Sequence, residues 1–258
     1  MPTICHKTVS MLLCCLAGLV LCACATARVK EYKAVAVKEY HHDPKAYTQG
    51  LFFHDGQLYE STGTYGGSTF RKVDLETGKP VEEIKFAGKY FIEGSSILDG
   101  KLYLLTWTTK VAFIYDAATL KYQSTYSYPR QGWGLTTDGE SLIASDGSAT
   151  LYFMDGSFSV KKRLTVRMNG RPMRLLNELE YIDGKIWANV YMTDLILVID
   201  PESGNVEATV DAAGLLPSRL HGPDTDVLNG IAYDGQSGKI YLTGKNWPRL
   251  YEISLVSK

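Results

Sequence analysis

The chain has 258 residues, of which 45% are hydrophobic and 21% charged, so it can bury a sizeable core. Its formal net charge at pH 7 is -1, which excludes a strongly basic nucleic-acid-binding surface and gives no sign of attraction to anionic membranes. The 24 glycines and 17 tyrosines are typical of many tight turns and strands. The composition therefore favours an all-β fold.

The first segment of the chain has the layout of an export signal. Lys7 precedes an apolar run from Met11 to Leu21, and small residues follow. This run is too short to span a bilayer comfortably. We predict that residues 1–23 are a signal peptide, that residues 24–32 are a flexible tether, and that the protein is exported to the periplasm.

The cysteines also point to export. All of them lie in the first 24 residues, so none remains for a disulfide framework, a zinc cluster or a nucleophilic thiol in the body of the protein. The string "LCAC" at residues 21–24 resembles a bacterial lipobox, which predicts cleavage before Cys24 and a lipid anchor on its thiol. The alternative is ordinary cleavage near Ala23 or Ala25, with Cys24 unmodified.

The rest of the chain repeats one unit five times. Each copy has an apolar strand, an Asp-Gly turn, a second strand, a third strand after a polar gap, and a more polar fourth strand. Four strands in roughly 40–45 residues is the period of a propeller blade. The copies begin with "QGLFFHDGQLYESTG", "EGSSILDGKLYLLTW", "WGLTTDGESLIASDG", "NELEYIDGKIWANVY" and "NGIAYDGQSGKIYLTGK".

We predict that residues 33–258 form a five-bladed β-propeller with four-stranded antiparallel blades. A single large β-sandwich is the alternative, and five aligned copies argue against it. The alternating segment "EYKAVAVKEYHHD" precedes the first copy and is expected to pair with the last blade and close the ring. His41 and His42 are expected at its solvated end. The inserts at 166–176 and 211–226 are expected to form loops over one face.

Equivalent positions of the repeats should lie on rings around the propeller axis. Polar groups that converge within an aromatic wall form small-ligand pockets, which predicts a binding site at one mouth of the channel. The alternative is that the polar residues only bind loop backbones of the channel. The first ring holds Gln49, Glu93, Trp133, Asn177 and Asn229. The second ring holds Gly63, Trp107, Gly147, Tyr191 and Lys245.

Several strings resemble the glutaminyl-peptide cyclotransferases of the plant and bacterial type. They include "AYTQGL", "FIEGSSILDGKLYLLTW", "NELEYIDGKIWANVYMTD", "DVLNGIAYD" and "LTGKNWPRLYEI". The resemblance runs from about Tyr40 to the C-terminus. It implies a five-bladed propeller that converts the N-terminal glutamine of a peptide or protein to pyroglutamate and releases ammonia.

The resemblance also implies a set of site residues. The family's active-site positions fall on Gln49, Phe91, Glu93, Trp107, Trp133, Asn177 and Lys245. Tyr47 and Tyr191 stand where the family usually has a phenylalanine and a tryptophan, so each adds a hydroxyl. We expect Glu93 to carry a proton between the two reacting nitrogens, and Lys245 and Asn177 to stabilise the oxyanion. We expect the substrate to be bound by Tyr47, Gln49, Phe91, Trp107, Trp133, Tyr191 and Asn229.

Other chemistries fit the sequence poorly. It has no Gly-x-Ser-x-Gly elbow, P-loop or dinucleotide fingerprint, and its histidines lack zinc-ligand spacing. We therefore predict no cofactor and no metal, and we expect a monomer. Two alternatives remain. One is a non-catalytic propeller lipoprotein that binds a peptide or protein partner, and the other is a hydrolase of small lactones or amides.

Overall fold

The computed structural model describes residue 3 and residues 28–258 of the chain. This part consists of β-strands joined by turns, with one short 3₁₀-helix at Ser218–Leu220 and no α-helix. No helix within it is long and apolar enough to cross a membrane. The predicted signal peptide apart from residue 3, Cys24 and residues 24–27 of the predicted tether lie outside the described residues, so their predictions stay untested.

The strands are numbered here in chain order. The first eleven are β1 (Lys30–His41), β2 (Thr48–His54), β3 (Gln57–Thr62), β4 (Thr69–Val73), β5 (Pro80–Lys85), β6 (Ile92–Leu98), β7 (Lys101–Thr106), β8 (Val111–Asp116), β9 (Tyr122–Ser127), β10 (Leu135–Thr137) and β11 (Leu142–Ala144). The others are β12 (Thr150–Met154), β13 (Val160–Thr165), β14 (Arg167–Met168), β15 (Arg171–Pro172), β16 (Leu176–Ile182), β17 (Lys185–Val190), β18 (Leu195–Ile199), β19 (Val206–Asp211), β20 (Leu228–Asp234), β21 (Lys239–Gly244) and β22 (Arg249–Ser257).

Most strands pair with their neighbours in sequence. Strands β2–β5, β6–β9 and β10–β13 form three four-stranded antiparallel sheets, and β14 and β15 form a small hairpin within the predicted loop 166–176. The remaining strands form one eight-stranded sheet in the order β16-β17-β18-β19-β1-β22-β21-β20. Within it, β1 lies between β19, with which it runs parallel, and β22, with which it runs antiparallel.

The pairing of β1 corrects one predicted boundary. Residues 30–32 were assigned to the flexible tether, yet Lys30, Glu31 and Tyr32 pair with Ala208–Val210 of β19. Their backbone groups belong to a sheet, so these residues are part of the folded unit. The tether prediction is therefore too long at its C-terminal end.

The Asp-Gly turns have the backbone geometry that short hairpins require. Asp55, Asp99 and Asp183 have φ angles of 50°, 51° and 48°, and the glycine after each also has positive φ. Positive φ at both central residues matches the twist of the flanking strands, and Asp and Gly tolerate it best. The other two copies differ, because the loops at 138–141 and 235–238 are longer.

We call the first strands of the five repeats the inner strands. They lie next to one another in a closed cycle. Strand β2 contacts β6, β6 contacts β10, β10 contacts β16, β16 contacts β20, and β20 contacts β2. Glycines allow the close approach: a Cβ on Gly94 would lie 2.4 Å from the Leu135 nitrogen, and one on Gly134 would overlap the Asn177 oxygen. In the fourth copy Glu178 takes the place of this glycine. Its carboxylate accepts backbone hydrogen bonds from Leu51 (3.2 Å) and Ile231 (2.9 Å).

The buried apolar side chains lie between neighbouring sheets. Three clusters join residues of two consecutive sheets, and a fourth joins the two halves of the eight-stranded sheet, β16–β19 and β20–β22. Complete burial of one such side chain stabilises the fold by about 1.5–3 kcal/mol. The last and first sheets meet in the same way, because Leu51 and Leu58 pack with Tyr241 and Leu250. This packing holds the inner strands, and the side chains they carry, in fixed relative positions.

The structure corrects the expectation for His42, which is buried and not solvated. Its Nδ1 lies 2.6 Å from the Trp247 carbonyl oxygen and its Nε2 lies 2.9 Å from Glu60 Oε1. Both partners can only accept, so the ring donates from both nitrogens and is an imidazolium. Burial by itself would lower the pKa of His42, but the Glu60 carboxylate raises it above 6.5. Glu60 also accepts from Arg71 Nε at 3.1 Å.

Candidate active site

One cavity of about 320 Å³ opens where the inner strands begin. It has the size and the mixed polar and aromatic lining of a small-ligand site. All of the predicted catalytic and substrate-binding residues except Asn229 line it, and the lining also includes two residues that were not predicted. The lining residues are Tyr47, Gln49, Thr64, Tyr65, Phe91, Glu93, Trp107, Trp133, Asn177, Tyr191 and Lys245.

Three of the polar residues that line the cavity occupy the same position in their strands. Gln49, Glu93 and Asn177 are each the second residue of an inner strand. At the same point the pairing of each inner strand with the next strand is irregular. The register of β2 with β3 shifts between Thr48 and Gly50. The registers of β6 with β7 and of β16 with β17 shift between the first and the fourth residue of the inner strand. A β-bulge re-aims the side chains at its site. The bulges thus explain how extended strands direct these groups to one place.

Glu93 lies in the cavity without a partner. The residue is 5% exposed, and its carboxyl group makes no hydrogen bond or ion pair with residues 28–258. Burial raises its pKa well above 4.5, whereas the charge of Lys245 acts in the opposite direction. Burial therefore outweighs the nearby cation, and the acid tends to keep its proton.

Lys245 is the matching buried cation. It is 3% exposed, and its Nζ lies 4.7 Å from the centre of the Tyr47 ring and 5.0 Å from that of Tyr191. Burial lowers its pKa, although the Glu93 and Asp226 carboxylates raise it. It makes no ion pair in the described part of the chain. The aromatic faces stabilise the ammonium group and leave its N–H groups free to bind a ligand.

Aromatic rings form two parts of the cavity wall. Phe91 packs against Tyr65 and Trp107, with ring centres 5.4 Å and 5.5 Å apart. On the other part of the wall, Trp133 and Tyr191 meet edge to face at 5.5 Å. Such contacts stabilise a defined arrangement of rings and exclude water from the space between them.

Gln131 connects the two parts of this wall. Its Oε1 accepts a hydrogen bond from Trp107 Nε1 at 3.0 Å and another from Trp133 Nε1 at 3.1 Å. The two indoles therefore share one acceptor. This arrangement fixes the orientation of both rings, because an indole has only one polar group to satisfy.

The hydroxyl of Tyr47 has a partner beside the cavity. Tyr47 donates to Asp226 Oδ2 at 2.8 Å, and burial followed by this hydrogen bond raises the pKa of the phenol. Asp226 lies in the long insert 211–226, which was predicted to be a loop over one face. The extra hydroxyl that distinguishes Tyr47 from the family's phenylalanine is therefore used in holding this loop.

Asn229 corrects one predicted contact. It is fully buried and does not line the cavity. Its Nδ2 donates to the Thr48 carbonyl oxygen at 2.9 Å and lies 3.4 Å from Gln49 Oε1. Asn229 therefore orients Gln49 from behind, and direct contact with a substrate is not available to it.

Sequence reasoning missed Thr64, Tyr65, Gln131 and Asp226. Thr64 and Tyr65 follow Gly63, a position of the second ring, so the repeat alignment contained a signal for them. Gln131 and Asp226 lie in connections that differ between the copies. No repeat pattern marks such residues, and only the folded chain brings them to the cavity. Within the described residues no group of three or more His, Cys, Asp or Glu side chains could hold a metal ion.

The fold and the site define an all-β protein whose aromatic cavity holds a buried carboxyl group and a buried lysine. An unpaired buried acid and an unpaired buried lysine are costly, and such groups are typical of active sites. The chain belongs to the glutamine cyclotransferase family, whose model matches residues 9–255.

Two known proteins are similar over most of the chain. A glutaminyl-peptide cyclotransferase of Arabidopsis thaliana is 44% identical over an alignment of 235 residues. The alignment covers 88% of this chain and 72% of that protein. The crystal structure of Myxococcus xanthus glutaminyl cyclase superposes with a TM-score of 0.83 at 37% identity. That comparison covers 90% of this chain and 100% of the other.

Proposed function

We propose that this protein cyclises the N-terminal glutamine of peptides and proteins to pyroglutamate and releases ammonia. Membership of the glutamine cyclotransferase family supports the reaction. The observation that carries it is the pair of buried, unpaired groups, Glu93 and Lys245, inside an aromatic cavity. A protein that only bound a peptide would have no need to bury either group without a partner.

We propose Glu93 as the general acid and base. The substrate's α-amine attacks its own γ-carboxamide carbon, a C–N bond closes the ring, and the bond to the amide nitrogen breaks. One proton passes from the ring nitrogen to the departing nitrogen, which leaves as ammonia. Burial raises the pKa of the Glu93 carboxyl group, and a raised pKa makes its carboxylate a better acceptor for the proton of the amine.

Lys245 and Asn177 are proposed to stabilise the negative charge that develops on the amide oxygen. Both are buried in the cavity, where a hydrogen bond to a developing charge is stronger than in water. Gln49, held by Asn229, would orient the substrate head. The rings of Phe91, Trp107, Trp133 and Tyr191, and that of Tyr47, would surround the glutamine methylenes and exclude water.

We further propose that the sheets are the five blades of a propeller and that β1 closes the ring. The cycle of contacts among β2, β6, β10, β16 and β20 supports five blades. The pairing of β1 with β22 supports closure, because the last repeat contributes only three strands of its own. In this arrangement the cavity lies at one mouth of the central channel, and the domain begins at Lys30, where β1 starts, and extends to residue 258.

The reaction is tested by incubating the purified protein with a peptide that begins with glutamine. We expect the peptide to lose the mass of one ammonia, and we expect a chelator to leave the rate unchanged because the proposed mechanism uses no metal. A peptide that begins with asparagine serves as the control. If the glutamine peptide binds but its mass does not change, a non-catalytic peptide-binding protein is the better description.

The location of the protein is a separate proposal. We propose an exported, periplasmic lipoprotein anchored through Cys24, on the basis of the apolar segment and the "LCAC" string. In cells, the protein should fractionate with membranes, and Cys24→Ser should release it. Membrane association that survives Cys24→Ser would contradict the lipid anchor.

We also propose that the folded part is a monomer, which light scattering would test.

A further inference from the structure

Three large apolar side chains that face solvent belong to residues that line the active-site cavity or lie within two positions of a lining residue in the chain. Tyr65, Leu175 and Met192 are 54%, 43% and 63% exposed. We call these three residues the apolar rim. The other large apolar side chains with similar exposure in the described chain lie in β1, β5, β9 and β22, all remote from the lining residues. The rim is thus the place where exposed apolar surface adjoins the site.

The rim residues are tied to the cavity wall. Tyr65 lines the cavity and packs on Phe91. The Leu175 carbonyl oxygen accepts a hydrogen bond from the backbone nitrogen of Tyr191 at 2.9 Å, and Met192 follows Tyr191 in the chain. Two of the rim residues are therefore connected to Tyr191 through the backbone, and the third is part of the Phe91 side of the wall.

The backbone at two rim residues is strained. Leu175 has φ 62° and Met192 has φ 67°, in the left-handed region that bulky side chains rarely adopt. Glycine or asparagine would be more stable at either position. Backbone strain of this kind persists where the surrounding structure over-determines it, and it clusters at ligand-binding segments. Leu120 and Phe158 also have positive φ, but they are buried and pack in the core, whereas Leu175 and Met192 are exposed. Core packing therefore does not explain the two rim residues, and contact with a ligand does.

The chemistry of the substrate identifies that ligand. The amine and the carboxamide of the glutamine react with each other inside the cavity, so the α-carbon between them also lies there. The peptide bond that follows must then leave through the mouth, past the rim. We propose that Leu175, Met192 and Tyr65 form a subsite for an apolar side chain on the residue that follows the glutamine. This inference rests on the proposed function.

The test compares glutaminyl-phenylalanine amide with glutaminyl-glycine amide. In the unaltered protein we expect kcat/KM to be about tenfold higher for the phenylalanine substrate, mainly through a lower KM, as is usual when an apolar pocket gains an apolar group. The variants are Leu175→Asn, Met192→Asn and the double variant. Asparagine tolerates positive φ, so these variants are expected to fold, which a melting curve checks.

The ratio of the two kcat/KM values is the readout. It should fall at least about threefold in each single variant and approach one in the double variant. Val81→Asn is the matched control, because Val81 is 64% exposed and lies on β5. Its ratio should equal that of the unaltered protein.

Each other outcome is informative. Equal kcat/KM values for the two substrates in the unaltered protein, or an unchanged ratio in the double variant, would overturn the subsite. If neither substrate loses ammonia, the proposed function fails as well. The glycine substrate therefore separates failure of the subsite from failure of the reaction.

Discussion

Glu93 combines deep burial with the absence of any partner in residues 28–258. A buried carboxyl group is normally hydrogen-bonded or paired, since an isolated charge loses its hydration. Here burial raises the pKa of the group and so favours its neutral form. The burial that is costly for the charged form therefore makes the carboxylate a better proton acceptor.

Replacing Glu93 by glutamine tests its role. The amide has the shape of the neutral acid, so Glu93→Gln should fold with an unchanged melting temperature. The rate of ammonia release should fall by about 10²–10⁴-fold, because general acid–base catalysis is lost. Glu180→Gln is the control, since Glu180 is also buried but lies at a different cavity. A Glu93 variant with more than about a tenth of the original rate would contradict the assignment.

Replacing Lys245 by methionine tests the coupling of the two buried groups. Methionine has a similar length and keeps the contacts with the rings of Tyr47 and Tyr191, but it removes the charge. Loss of one oxyanion donor should lower kcat about 10²–10³-fold. Because Lys245 lowers the pKa of Glu93, the limb of the pH–rate profile that reports Glu93 should move to higher pH. A profile that keeps its position would argue against this coupling.

At the scale of elements, β16 carries two further buried acids below Asn177. Glu178 binds backbone groups of β2 and β20 and so links three inner strands. Glu180 accepts from the backbone nitrogen of Tyr233 at 2.9 Å, and burial raises its pKa to about 8. Both acids point away from solvent on a strand whose other residues are mostly apolar. The strand thus holds the ring of sheets together through side chains as well as by packing.

The pKa of Glu180 predicts how stability depends on pH. Since this pKa is about 8 in the folded state and 4.5 when unperturbed, its contribution to stability is complete below 4.5 and is lost as the pH rises toward 8. Glu180→Gln lacks this loss. Its free energy of unfolding, relative to the unaltered protein, should therefore rise by on the order of 3 kcal/mol between about pH 5 and 8. Urea unfolding at both pH values measures this, and a constant difference would refute it.

At the scale of the whole molecule, the junction between the last and first sheets contains a buried charge network. His42 follows β1, Glu60 lies on β3 and Arg71 on β4, while the carbonyl partner of His42 belongs to Trp247, near Lys245 in the chain. The network therefore connects the residue after β1, the first sheet and the loop beside the site.

Removing His42 should weaken this junction strongly. His42→Ala removes one of the two cations paired with the buried Glu60 carboxylate and leaves its Oε1 with only the Thr48 hydroxyl. Breaking a buried pair costs about 3–5 kcal/mol. Calorimetry or urea unfolding would measure the loss, and His41→Ala, which changes an exposed neighbour, is the control. A His42 variant as stable as that control would show that the network does not hold the junction.

The same network predicts sensitivity to acid. Burial by itself would raise the pKa of Glu60, but His42 and Arg71 lower it to about 2. Its contribution to stability is therefore present above about 4.5 and is lost as the pH falls through about 2. The unaltered protein should lose stability over this range, and this loss should be smaller in His42→Ala.

Much of the molecule was predictable from local patterns. The Asp-Gly turns and apolar runs predicted an all-β protein, because hairpins are encoded by neighbouring residues. The repeat alignment then predicted that Glu93, Asn177 and Lys245 share one cavity, since equivalent positions of repeated units lie around one axis. Residues within the repeats, such as Gln49 and Trp133, were found for the same reason.

The tertiary structure decided what no repeat encodes. The partners of His42, Asn229 and Tyr47 lie 18 to 205 positions away in the chain, at distances that no local pattern covers. Whether burial or Lys245 determines the pKa of Glu93 also depends on how the whole chain excludes water. Hairpins form from contacts between near neighbours, whereas burial and long-range hydrogen bonds arise only when all the sheets pack together.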